Sequence, residues 1–466
     1  MYLACHSYYS LRYGTMSVER LTERAAACGV SALALTDINN TTGIMDFIAA
    51  CKERHIHPVA GIEFRRDDRI LYTGLARNNE GFQELNEFLT HHNLRNLALP
   101  DQPPESGNLY WIHPFHHFAS SPLLPVKGLP ENHFLGVPPS SLNPIVISRH
   151  RRWLSRMVLM APVTFADDRE YELHRNFRAV DRNILLSRLE PGQVAASDEM
   201  MFSVDRLLEQ CADYPEIIRN TEQIFGSCSI DFDFRSCKNK RTFTGHPYDD
   251  RVLLEKLAMD GLVYRYGADN AEARRRIRHE LEIIDRMVFA AYFLIAWDIV
   301  RYSMARGFYH VGRGSGANSM VAYCLKITDV DPIELDLYFE RFINPKRTSP
   351  PDFDIDYSWK ERDEVLDYIF KRYGHAHTAL LGAMSTFRDK SIYRELGKVH
   401  GLPKGEIDSY LKNPEEAIHR NHIIKKINEL GEMMADFPNL RSIHAGGVLI
   451  SRSEEHTSEL QSPNTI

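Results

Sequence analysis

Three aspartates at alternate positions, Asp352, Asp354 and Asp356, stand in the run Pro-Asp-Phe-Asp-Ile-Asp-Tyr. In an extended strand alternate side chains share a face, so the three carboxylates point the same way. Carboxylates crowded on one face repel unless a cation joins them, and hard oxygen donors in that number suit Mg²⁺. Phosphoryl transfer with two metals roughly 3.5–4 Å apart uses two or three such groups. A solvated acidic edge strand shows the same alternation, so the pattern alone leaves both readings open.

Upstream stands Gly312-Arg313-Gly314-Ser315-Gly316-Ala317-Asn318-Ser319. Glycines let backbone amides approach a phosphate, and a helix N-terminus favours an anion. Ser315 and Ser319 offer hydroxyls and Arg313 a charge. The run is neither a Walker loop nor a dinucleotide fingerprint, and a tight turn with a helix cap explains it equally well. Between the two runs lie Arg341, Lys346 and Arg347, suited to a triphosphate or a template strand, or to a solvated basic turn.

Of the elements that must hold these runs, 309–311 reads as a short strand, the glycine-rich run as a turn, and a helix starts near Asn318. Charged amphipathic helices are expected over 271–287 and 292–306, the second stopped by Gly307. Downstream, 359–373 has Val365, Leu366, Ile369, Phe370 and Tyr373 on one face and ends at Gly374. Lys390 and Arg394 are four apart on the next helix and share a face, facing phosphates or simply solvent. The first stretch alternates helix 18–28, strand 31–36, helix 42–54 and strand 58–64, the pattern of a parallel sheet covered by helices, or a barrel. Ligands in such folds sit at the carboxyl ends of strands, which singles out His6, Asp37 and Glu63. Residues 101–143, rich in Pro, Ser and His, read as long surface connections, and 228–245 as a linker.

A chain of 466 residues calls for two or three domains. With 43% hydrophobic and 26% charged residues it has an ordinary soluble composition. The apolar run 287–297 is too short for a bilayer and reads as a buried helix, and the N-terminus lacks the regions of a secretion signal. Seven scattered cysteines without a CxxC pair fit a reducing compartment, so the cytoplasm is expected and a membrane is not. The net charge of −7 argues against a bare nucleic-acid-binding surface but not against DNA held in a local groove with metals.

Taken in order, Gly-Arg-Gly-Ser-Gly-Ala, Ser-Met-Val-Ala-Tyr-Cys-Leu-Lys-Ile-Thr-Asp-Val-Asp-Pro, Phe-Glu-Arg-Phe-Ile-Asn-Pro and Pro-Asp-Phe-Asp-Ile-Asp resemble the palm of the bacterial DNA polymerase III alpha family. The resemblance runs from the N-terminus to about Ser451. It implies an α/β chain with a PHP domain, a distorted β/α barrel, at 1–230, followed by the first part of a nucleotidyltransferase-type polymerase palm at 231–385. A thumb-like helical region at 386–451 would follow. It further implies that Asp352 and Asp354 bind two Mg²⁺ ions with Asp356 in support, and that Gly314 and Ser315 meet the triphosphate, beside which Arg313 and Arg347 are expected from their charge to be further contacts. Lys390 and Arg394 would meet DNA. Primer-template DNA, deoxynucleoside triphosphates, a sliding clamp and other replisome subunits are the implied partners. His444-Ala445-Gly446-Gly447-Val448 is a further family hallmark.

Active PHP domains open with a His-x-His pair, which falls here on Ala4 and His6, and the Asp-His that often ends the next strand is Asp37-Ile38. Two ligand positions are apolar while Glu63 survives, so a structural PHP domain without hydrolytic activity is expected. The pairs His55/His57 and His116/His117 read as surface residues in turns. A rival reading is a metal-dependent PHP phosphoesterase, and another a non-catalytic scaffold. The family's third catalytic aspartate is expected on a strand beyond this chain. The stretch 452–466 is expected to match no part of the family and reads as a translated sequencing adapter. The chain therefore reads as truncated and is expected not to polymerise.

Overall fold

The computed structural model describes residues 1–115, 129–142, 149–344, 346, 351–414, 419 and 421–452. Its described residues divide into two compact units, one within Met1–Phe234 with Leu380–Gly447, the other within Arg235–Ala379 with 448–452.

In chain order the first unit begins with β1 (Ala4–Cys5), α1 (Val18–Ala27), β2 (Ala32–Leu35), α2 (Ile44–Glu53), β3 (His57–Arg66), β4 (Arg69–Ala76) and α3 (Asn79–Leu94). Next come β5 (Leu109–Pro114), β6 (His133–Val137), β7 (Met157–Leu159), β8 (Pro162–Val163), α4 (Asp168–Arg182), α5 (Val204–Gln210) and α6 (Pro215–Ser227). The expected helices and strands of the first 66 residues are present. Ser17 caps α1 by accepting from Arg20 N, Val18, Leu21 and Ala25 form its buried stripe, and Gly29 at φ +70° ends it. β2 to β7 form a six-stranded sheet in sequence order. β2–β3 and β5–β6–β7 are parallel, while β3–β4 and β4–β5 are antiparallel. β1 pairs in parallel with β8, and Tyr2 bridges Leu33 of β2, so the sheet curls back on itself. β5 and β6 correct the expectation that 101–143 is only surface connection. They lack polar alternation because both faces are covered, and Trp111, Ile112 and Leu135 are buried.

The second unit packs α7 (Pro247–Tyr266), α8 (Ala271–Arg286) and α9 (Ala290–Ala305) around Ile277, Phe293, Leu294, Val321 and Phe342. It adds β9 (His310–Arg313), a 3₁₀ turn (Gly314–Asn318), α10 (Met320–Cys324), β10 (Asp354–Tyr357) and α11 (Arg362–Tyr373). The apolar run read as helical from 287 begins its helix only at Ala290, and the helix expected from Asn318 begins at Met320 with Ser319 as its cap.

After β11 (Thr378–Thr386) come α12 (Asp389–Val399), α13 (Lys404–Lys412), α14 (His422–Met434) and β12 (Pro438–Ile450), which pairs with β11. Ile392, Leu396, Ile427 and Leu430 of α12 and α14 share a core with Leu173 and Phe177 of α4. The region expected to be helical to 451 therefore ends on a long strand, and the His444 hallmark lies on it, with Nδ1 accepting from Gly446 and Gly447 N. Among the described residues, no helix is long and apolar enough to cross a membrane.

Candidate active site

In the second unit β9 and β10 are antiparallel, with Asp354 opposite Arg313 and Asp356 opposite Val311. Asp352, Asp354 and Asp356 are exposed, while Phe353, Ile355 and Tyr357 turn inward. Tyr357 accepts from Ser303 Oγ at 3.0 Å, and Phe353 packs edge-on against Phe293 and Phe342. Aromatic anchors on one face thus aim the carboxylates off the other. Asp352 precedes the strand, which starts at Asp354, so two of the three carboxylates rather than all three lie on regular strand. Their repulsion is offset by a group already present. Arg313 Nε donates to Asp356 Oδ2 at 2.7 Å, and its Nη1 lies 3.8 Å from Asp354 Oδ2.

The loop after β9 is shaped by two glycines. A Cβ on Gly312 would lie 2.0 Å from Ile327 O. Gly314 sits at φ +70°, and a Cβ there would lie 2.6 Å from Asp354 Oδ2. Gly314 and Ser315 are exposed, and Asn318 Nδ2 pins the turn by donating to Ser315 O at 2.8 Å. The helix N-terminus expected to attract a phosphate is already filled. Buried Glu280 of α8 accepts from Ser319 Oγ at 2.7 Å, Met320 N at 2.7 Å and Val321 N at 3.0 Å. Burial pushes its carboxyl up to about 7 even though these three donors oppose the shift. Ser319 is accordingly part of the scaffold, which leaves exposed Gly314 and Ser315 as the donors of the turn, with Arg313 engaged by Asp356. Glu280 is the functional residue that sequence reasoning missed, although an acid among Ala273, Ile277, Ile283 and Ile284 on the buried stripe of α8 was its signal.

Two oxygen donors on a rigid, exposed strand face, bordered by a glycine turn, fit a hard divalent cation once Arg313 gives way. Arg347 lies outside the described residues, and Lys346 is exposed. In the first unit Lys390 and Arg394 lie exposed on α12, one turn apart.

The first unit gathers His6, Glu63 and, beside them, Asp37. His6 Nε2 is 3.3 Å from Glu63 Oε1, and its Nδ1 is 3.0 Å from Thr164 Oγ1, which donates to Glu199 at 2.6 Å. Arg65 Nε donates to the same Glu63 oxygen at 2.5 Å, and its Nη2 to Tyr13 OH at 3.1 Å. The guanidinium lies 4.3 Å from the centre of the Tyr13 ring. Burial alone would raise the Glu63 pKa, but Arg65 and His6 hold it down at about 2. Asp37 accepts from Ser7 N, Ser7 Oγ and Ser10 Oγ, which use both of its oxygens, and burial still raises its pKa. With Arg65 on Glu63, Asp37 committed to serines and Ala4 and Ile38 apolar, this donor set does not fit a metal centre. Among the described residues no group of three or more His, Cys, Asp or Glu is arranged to hold one.

Of the other histidines, His57 is not in a turn but opens β3, its Nε2 bonded to Phe225 O and Cys228 O, whereas His55 does turn, at φ +56°. His116 and His117 lie outside the described residues.

Residues 252–461 match the family model described as the bacterial DNA polymerase III alpha NTPase domain, and residues 3–113 match the PHP domain. The first match runs past Ser451, into the segment expected to match nothing in the family; residues 453–466 lie outside the described residues. An error-prone DNA polymerase of Symbiobacterium thermophilum is 29% identical over 97% of this chain and 47% of its own length. The DNA polymerase III alpha subunits of Bacillus subtilis and Escherichia coli K12 are 29% and 28% identical over 97% of this chain and 44% of theirs. The chain thus spans less than half the length of these relatives. Among solved structures, an amidohydrolase from Chromobacterium violaceum aligns with 20% of the chain at a TM-score of 0.17 and 27% identity, too slight a likeness to carry an argument. The chain thus carries a match to the PHP domain followed by a match to the alpha-subunit NTPase domain, and it is similar to bacterial DNA polymerase III alpha subunits along nearly all of its own length.

Proposed function

We propose that this chain supplies the first part of the active centre of a template-directed DNA polymerase, working in the cytoplasm with primer-template DNA and deoxynucleoside triphosphates. The observation that carries the reading is the β9–β10 register, with Arg313 and Gly314 beside Asp354. Asp352 and Asp354 would hold two Mg²⁺ ions with Asp356 in support. The bound metals would favour the primer hydroxyl as an alkoxide and stabilise charge on the phosphoryl oxygens. Arg313, Arg347 and the amides of Gly314 and Ser315 would orient the triphosphate, and Lys390 and Arg394 would grip the DNA backbone. The primer 3′-oxygen then bonds to the alpha-phosphorus as pyrophosphate leaves. A sliding clamp and other replisome subunits would join through regions of the longer relatives that this chain does not span. The domain plan 1–230, 231–385 and 386–451 serves as PHP, palm and thumb-like region.

The PHP domain acts in this reading as a metal-free structural body. A phosphoesterase reading is disfavoured by the Arg65–Glu63 pair, which occupies the surviving ligand. In a protein spanning the full length of these relatives, Asp354→Ala is expected to abolish primer extension while DNA binding persists. Near-normal extension by that variant sinks the proposal.

A further inference from the structure

We propose that Arg313 is a resident counter-cation of the carboxylate strand, one that a divalent metal must displace before the arginine can serve a triphosphate. The inference rests on reading β10 as the metal-binding strand. Same-face positions along a strand are about 7 Å apart, so one group lying between them can reach two carboxylates. Arg313 does so, with Nε bonded to Asp356 and Nη1 near Asp354. No other charge on β9 competes for these acids, because Val311 opposite Asp356 is apolar and His310 is bonded through Nε2 to Lys326 O. Gly314, without a side chain, lets the loop pass close to Asp354 Oδ2, where an added Cβ would lie only 2.6 Å away.

Two features suit this pair to exchange. Both partners are more than half exposed, and exposed ion pairs are weak. A metal on Asp354 would also stand beside the guanidinium, and like charges at that range repel. The arginine is then expelled as the metal enters, towards the glycine turn whose exposed amides are suited to a phosphate. One positive charge would neutralise the carboxylates when metals are absent and the substrate when they are present.

The test is Mn²⁺ binding to the 466-residue chain, read from the electron paramagnetic resonance signal of free Mn²⁺. Arg313→Gln is expected to bind about three- to tenfold more tightly than wild type, through the loss of a competing charge. Asp354→Asn is expected to lose the ion. If Asp354→Asn loses it while a folded Arg313→Gln binds no better than wild type, the place-holder is overturned and the metal-strand reading stands. If Asp354→Asn binds as well as wild type, the metal-strand reading itself fails. A second measurement needs no variant to fold well. In wild type, the ¹⁵N signal of Arg313 Nε is expected to shift out of its hydrogen-bonded position on Mg²⁺ saturation, and an unmoved signal overturns the proposal.

Discussion

Arg65 Nε lies 2.5 Å from Glu63 Oε1 with both side chains buried, so the surviving carboxylate of the PHP pocket is neutralised by the protein's own guanidinium. His6 and Tyr13 complete its surroundings. Removing one partner of a buried pair leaves an uncompensated charge, and Arg65→Met is expected to cost about 3–5 kcal/mol in urea unfolding. Replacing both, as Glu63→Leu with Arg65→Met, is expected to recover most of that loss. In Asp354→Asn, which lacks the Asp354 carboxylate of the proposed metal strand, a chelator is expected to leave the melting temperature unchanged, since the cation in the PHP pocket is covalently part of the chain. A melting temperature lowered by chelator in that variant, or an Arg65→Met variant as stable as wild type, would overturn this account.

The Glu63–Arg65 pair was in principle legible, because residues two apart on a strand share a face. The same period of two exposed the alternation of Asp354 and Asp356 against Ile355 and Tyr357. What strand pairing adds was not legible: only the register of β9 with β10 brings Arg313 to those acids, 41 and 43 positions away in the chain. Glu280 was hidden for a similar reason. Its role depends on the N-terminus of α10 arriving beneath α8, and sequence showed merely an acid in an apolar stripe. β5 and β6 escaped notice because a strand covered on both faces carries no polar alternation, and the Pro- and His-rich residues around them suggested loops.

Glu280 makes a pH-dependent contribution to stability. Its carboxyl ordinarily titrates near 4.5, and burial raises it to about 7 in the folded chain. Between those values the folded state binds the proton more strongly than the unfolded state does. The stability this confers is fully present below about pH 4.5 and is lost as pH rises through about 7. Glu280→Gln cannot titrate. The stability of wild type minus that of Glu280→Gln is therefore expected to fall by about 1–3 kcal/mol across this window. Urea midpoints at several pH values measure it, and a difference that is flat or rises with pH contradicts the assignment.

Gly314 tests whether the turn serves the carboxylate as well as the backbone. At φ +70° an L-residue is strained, so Gly314→Ala is expected to cost about 1–2 kcal/mol of stability. Its methyl group would also meet Asp354 Oδ2, since the Cβ position lies 2.6 Å from that oxygen. Asp354 must then turn aside or the loop must lift, and either movement spoils the oxygen for a cation. Mn²⁺ binding by folded Gly314→Ala is therefore expected to weaken along with its stability. Gly405→Ala provides the control, because Gly405 stands at an exposed helical position with no atom within 4 Å of an added Cβ. It is expected to leave Mn²⁺ binding at the wild-type level. If Gly314→Ala loses stability but binds Mn²⁺ as wild type does, the glycine serves only the turn, and its closeness to Asp354 has no bearing on metal binding.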